Sequence, residues 1–289
     1  VLDRQRDTVS AVTSAFQVDT AAVTLSGEVA GEGVPVLLLH GLTATRRYVV
    51  MGSKLLERSG HRVIQYDARA HGHSSGAPSP SAYTYDLLGD DAVAVLDQLE
   101  VERAVLAGAS MGAHTLLNVT LRHPERVAGV VVITPAYSGD RDFERGRVAH
   151  WDVLSEALRT GGVDGFVEAY GVPQVSSPEI AKTITTVTRQ RLALHDHPGA
   201  LADCLRWLPR SVPFGTLEEL RAIDVPAAVV ASSDDADPEH PEALGIAYAQ
   251  AIPGAELITD EPGSSPVAWQ GSRLSRVIER VAARTSLAA

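Results

Sequence analysis

Apolar positions fall along this chain in two alternating rhythms. Val34-Pro35-Val36-Leu37-Leu38-Leu39 is apolar on both faces, as a strand buried inside a parallel sheet must be. Arg62 to Tyr66, Arg103 to Ala107, Val127 to Thr134, Val225 to Ala231 and Ala255 to Thr259 read as further strands. Longer stretches at helical spacing lie between them. Within 82–99, Leu87, Leu88, Ala92, Val95, Leu96 and Leu99 recur on one face. Met111 to Arg122, Glu242 to Ala251 and Ser272 to Ala283 are also read as helices. Two early segments, about 8–16 and 20–30, predict an antiparallel start to the sheet. This order predicts an α/β fold, a doubly wound and mostly parallel sheet with right-handed crossovers.

The rhythm breaks after Pro135. Residues 138–212 contain helix-like runs and no strand-like run, which predicts a helical cap inserted into the sheet domain. The expected division is a core of 1–137 and 213–289 with a cap of 138–212. No internal repeat or low-complexity linker interrupts it.

Composition narrows the partners. The 289 residues are 45% hydrophobic, enough for a full core. A net charge of −11 argues against nucleic acid and anionic membrane surfaces as partners, and leaves a small-molecule substrate as the expectation. The longest apolar runs fall far short of the roughly 20 residues that span a bilayer. The single cysteine, Cys204, allows neither an intramolecular disulfide nor a cysteine metal cage. With no apolar signal core in Val1 to Gln17, the expected location is the cytoplasm. No phosphate loop, dinucleotide-binding glycine pattern or paired-histidine zinc motif occurs, so no cofactor and no metal are expected.

In such sheets, ligands bind beyond the carboxyl ends of the strands. The most informative segment there is Gly108-Ala109-Ser110-Met111-Gly112, between a strand and a helix. A Gly-x-Ser-x-Gly turn in that context holds its serine above the sheet edge at a helix N-terminus. Ser110 is then a candidate nucleophile, and the Met111 N–H a candidate oxyanion donor. The plainer alternative is a glycine-rich connection with an incidental serine. His40-Gly41-Leu42-Thr43 follows the central strand, where the Leu42 N–H is the second candidate donor. Asp67 to Ser74 and Ala231 to Pro238 follow two further strands.

These segments resemble the α/β-hydrolase superfamily, in particular its capped esterase, lipase and aminopeptidase-like branch, over about residues 20–283. The family's Asp-x-x-Gly-His-Gly-x-Ser segment is matched at Asp67 to Ser74, with Ala70 in place of the first glycine. The resemblance implies a catalytic acid at Asp234, with Asp235 and Asp237 as alternatives. It also implies a histidine after the last strand, in a Gly-His-Ser-Pro-like setting. Here that stretch reads Gly263-Ser264-Ser265-Pro266, and Ser264 stands in the histidine's place.

No histidine follows His240. Serine cannot take a proton near neutral pH, so the sequence alone reads as a degenerate triad. His240 and His114 are the possible substitute bases. Their plainer roles are the polar start of a helix between Pro238 and Pro241, and a packed histidine beneath the elbow. His150, His195 and His197 in the cap, and His73 near the pocket mouth, are weaker candidates. His61 reads as a solvated turn residue. The cap opens on the mixed-charge run 140–147, a solvated face or a source of an arginine for an anionic substrate group. Trp151, Phe166, Tyr170 and Trp207 would line a pocket or form the cap's own core, and Trp269 would pack at the site floor. The expected function is hydrolysis of a small ester, thioester or amide. The alternatives are a non-hydrolytic enzyme on the same scaffold and a ligand-binding protein with a residual pocket.

Overall fold

The computed structural model describes residues 13–171, 178–233, 237, 239–261 and 265–288, without the side chains of 141–143 and 180. Eight strands form one sheet: β1 (Thr13–Asp19), β2 (Thr24–Ala30), β3 (Val34–Leu39), β4 (His61–Tyr66), β5 (Ala104–Ala109), β6 (Val127–Ile133), β7 (Ala227–Val230) and β8 (Glu256–Ile258). Their order is β1-β2-β4-β3-β5-β6-β7-β8. β1 and β2 pair antiparallel, as does β2 with β4, and every other pair is parallel. The antiparallel start therefore exists: β1 overlaps the expected first segment at 13–16 and runs on to Asp19, while residues 8–12 lie outside the described residues.

The helices are α1 (Leu55–Arg58), α2 (Tyr85–Gln98), α3 (Met111–Arg122), α4 (Arg141–Tyr170), α5 (Pro178–Leu192), α6 (Pro198–Trp207), α7 (Glu242–Ala251) and α8 (Gly271–Ala282), and those outside the α4–α6 insertion cover both faces of the sheet. Alternate residues of each central strand feed opposite cores. Leu37, Leu39, Leu106 and Val132 pack with Leu96, Leu116 and Tyr248 on one side. Val36, Leu38, Val105 and Val131 pack with Leu274, Val277 and Ile278 on the other. This explains why the central strands read as unbroken apolar runs. No helix among the described residues is long and apolar enough to cross a membrane.

Three helices, α4 to α6, are inserted between β6 and β7. The chain is kinked within α4 at Gly162, which takes φ 62°. Leu154, Leu158, Phe166, Leu201 and Leu205 of this insertion join Leu42, Met111 and Leu88 in a third apolar cluster. Burial thus ties the insertion to the loops at the strand ends.

A buried ion pair braces the base of those loops. The Arg69 guanidinium donates to both oxygens of Asp91 on α2, through Nε and Nη2, each at 2.7 Å. Both side chains are almost fully buried. Asp91→Ala would strand the Arg69 charge and is expected to cost about 3–5 kcal/mol of unfolding free energy. Urea titration measures this, and a loss under about 1 kcal/mol would show that water reaches Arg69. One expectation fails here: His61 opens β4 and is buried rather than solvated, with Nδ1 3.2 Å from the Leu56 carbonyl.

Candidate active site

Register places the site. Leu39, the last residue of β3, pairs with Gly108 on β5, so the loops that follow leave the sheet side by side. Ser110 lies in the turn between β5 and α3 with φ 52° and ψ −112°, and its N–H donates to the Ile133 carbonyl at 3.0 Å. A non-glycine residue in that region carries strain of about 1–3 kcal/mol. The flanking glycines are required by close approach. A Cβ on Gly108 would lie 2.3 Å from the Gly112 carbonyl oxygen, and one on Gly112 would lie 2.0 Å from that of Leu39. The Gly41 backbone passes so close that its own Cβ would sit 3.6 Å from that of Ser110.

The residue that meets Ser110 is His240. Its Nε2 lies 2.8 Å from Ser110 Oγ, and its Nδ1 lies 2.7 Å from Asp237 Oδ2. With Nδ1–H donating to the carboxylate, the Nε2 lone pair faces the serine hydroxyl. Burial disfavours a charged His240, but the charge and hydrogen bond of Asp237, with Glu239 nearby, carry its pKa above the usual value. Burial likewise opposes the Asp237 charge. His240, its hydrogen bond and Arg191 outweigh that and lower the carboxyl pKa.

Both groups come from the segment between β7 and α7. It is held at one end by Gly245, where a Cβ would meet that of Ala231 at 2.5 Å. At the other end Asp260, just after β8, accepts from Ser232 Oγ and the Ser233 N–H. His240 therefore does more than open a helix: α7 starts at Glu242, and the imidazole turns in toward α3. Asp234 and Ser264 lie outside the described residues, as does Asp235.

His114 is the packed histidine beneath the elbow. Its Nε2 accepts from the Ala136 and Tyr137 N–H groups, which leaves Nδ1–H to donate to the Tyr85 hydroxyl at 3.0 Å. Both nitrogens are committed, and burial holds its pKa well down, so it has no lone pair for Ser110.

Three more histidines pack against one another, one pair tilted and one edge to face, under the loop that carries Leu42. The rings of His40 and His71 are 5.0 Å apart, and those of His71 and His195 are 5.5 Å apart. His40 Nε2 accepts from the Ala68 N–H. His195, from the insertion, accepts from the Gly72 N–H and donates through Nε2 to the Thr43 carbonyl. Burial lowers the pKa of His40 to about 4 and those of His71 and His195 to about 3. All three are neutral when folded, while the unfolded chain takes up protons near 6.5. Their contribution to stability is complete above pH 6.5 and is lost as the pH falls toward 4. At pH 5 the loss is on the order of 2 kcal/mol for each histidine. Denaturant midpoints across that range test this, and a flat profile would mean that the cluster is solvated.

A cavity of about 390 Å³ opens above Ser110 and is walled by residues that include Leu42, Trp151, Phe166, His240 and Trp269. Tyr170 also lines it, whereas Trp207 is exposed, with the Arg210 guanidinium stacked 5.7 Å from its ring centroid. Trp151 Nε1 donates to Glu239 at 3.1 Å, and His150 lies 3.6 Å from the same carboxylate. His73 is exposed and paired with Asp196. Arg147, in the mixed-charge run, is buried and bound to Glu144 at 2.6 Å. The sequence reading missed Glu239 and Arg191. The signal for Arg191 was the spacing of Ile184, Val187, Thr188 and Arg191, which places all four on the cavity side of α5.

Comparison with known proteins bears on the fold. A family model described as the alpha/beta hydrolase fold matches residues 34–161. An sn-1-specific diacylglycerol lipase of Danio rerio is 34% identical over 104 residues, 36% of this chain and 32% of its own. A 2-hydroxymuconate semialdehyde hydrolase of Pseudomonas sp. (strain CF600) is 36% identical over 110 residues, 37% of this chain and 38% of its own. The match thus spans less than half the length of either relative. The solved structure of Est816, described as an N-acyl homoserine lactone degrading enzyme, is 26% identical. It superposes with a TM-score of 0.71 over 92% of this chain and 98% of its own. The sheet order, the glycine-flanked elbow at Ser110 and these similarities agree: the chain has the α/β-hydrolase fold, and residues 34–161 match the model of that family.

Proposed function

We propose that this protein is a serine hydrolase of small esters, thioesters or amides, with Ser110 as nucleophile, His240 as general base and Asp237 as the acid that orients it. The observation that carries this reading is the continuous hydrogen-bonded chain from Ser110 Oγ through both nitrogens of His240 to Asp237. His240 takes the hydroxyl proton as Oγ attacks the acyl carbon, and Asp237 stabilises the imidazolium. The N–H groups of Leu42 and Met111 receive the oxyanion, the latter at the first turn of α3 where the helix dipole assists. His240 then gives its proton to the leaving group, and the same base activates the water that releases the acyl group. On this reading the triad is complete, with its base moved to the loop before α7. Residues 138–212 act as the cap, closing a mostly apolar cavity over a core of 1–137 and 213–289.

A fluorophosphonate probe tests the reading. The wild-type protein is expected to be labelled and Ser110→Ala not, with hydrolysis of a 4-nitrophenyl ester lost in parallel. Equal labelling of both proteins would remove Ser110 from the chemistry.

A further inference from the structure

Four arginines near the strand ends are largely buried, and three of them have carboxylate partners. Arg46 binds Glu28 and Asp67, Arg69 binds Asp91, and Arg147 binds Glu144. Arg191, in the last turn of α5, is the exception. Its Nε is buried without a hydrogen-bond partner, and no carboxylate oxygen lies within 4 Å of its guanidinium among the described residues. Asp237, whose charge it feels, is bonded to His240 instead. Arg191 lines the same cavity as Ser110 and His240. A guanidinium stripped of water and left unpaired is costly, and the cost is offset when an anion arrives. Its planar fork suits a carboxylate held by two parallel bonds. In a chain of net charge −11, a cation inside the cavity that no described carboxylate pairs with also selects among ligands, because an anion is repelled elsewhere.

We propose that Arg191 is a carboxylate-binding residue of the substrate pocket, and that the preferred substrate is an ester carrying a second, free carboxylate. This rests on the hydrolase reading above. Ile184, Val187 and Thr188, on the same face of α5, supply the wall along which the rest of the acyl chain lies.

Two esters of equal length separate the possibilities: the 4-nitrophenyl monoester of glutarate and 4-nitrophenyl pentanoate. The wild-type protein is expected to hydrolyse the glutarate ester with the higher kcat/KM. Arg191→Gln is expected to lower the ratio of the glutarate to the pentanoate value by about 30-fold. Arg191→Lys, which keeps the charge, retains most of the preference. An equal loss on both esters would overturn the proposal and leave Arg191 as a support for Asp237, as would a wild-type preference for pentanoate. Calorimetric binding of glutarate to Ser110→Ala gives a readout without turnover. Binding that weakens about tenfold or more when Arg191→Gln is added supports the site, and binding unchanged by it overturns the site. Should neither ester be hydrolysed by the wild-type protein, the hydrolase reading fails, while glutarate binding still decides the role of Arg191.

Discussion

His240→Ala is expected to lower kcat/KM for a reactive ester by about five to six orders of magnitude, close to the effect of Ser110→Ala. The two should not add. Without the imidazole the hydroxyl keeps its proton, and without the hydroxyl the imidazole has nothing to deprotonate. The double variant should therefore match either single variant, with the residual rate coming from the oxyanion donors and binding. His114→Ala is the control: both of its nitrogens are bonded elsewhere, so it should act on stability rather than on the chemical step. A loss below about tenfold in His240→Ala would mean that another group takes the proton.

Asp237→Asn is expected to cost about 10⁴-fold in kcat, with the fold intact. An amide in place of the carboxylate no longer fixes Nδ1 as the protonated nitrogen, and it cannot balance the imidazolium that forms during attack. The pH profile carries a second signature. Asp237 is the main influence raising the His240 pKa against the pull of burial. As a base His240 would work only when neutral, so wild-type activity is expected to rise with pH through a midpoint above the usual histidine value. Removing the carboxylate should move that midpoint to lower pH even as the plateau falls. A plateau that drops with an unmoved midpoint would show that Glu239 or another group sets the His240 charge.

Much of this was legible in the residue pattern. The doubly apolar runs at Val34 to Leu39 and Val127 to Ile133 mark the central strands, because helices cover both faces there. The elbow was legible for a local reason: only glycine fits where Gly108 and Gly112 meet neighbouring backbone. Ala70, which departs from the family segment, shows why a glycine is usual there, since its φ is 69°. The base was harder to read. Asp237 and His240 are three residues apart just past β7, but the flanking prolines make the same residues look like a helix start. Whether a loop side chain turns toward the elbow depends on packing between distant residues, here Gly245 against Ala231 and Asp260 against Ser232. Spacing along the chain carries no trace of those contacts. Arg191 was missed for a related reason, because only the folded insertion shows that no carboxylate among the described residues pairs with it.

On the proposed reading, the acid Asp237 and the base His240 share one short connection. Where the two stand on separate loops, their alignment is relayed through the sheet, and any shift of the edge strand β8 disturbs it. Here three residues of covalent chain set their spacing, and Asp260, just after β8, anchors the segment that carries both, so a shift of that edge would displace the pair together rather than pull it apart. A search that looks for a histidine only after the last strand would pass over a pair placed in this way.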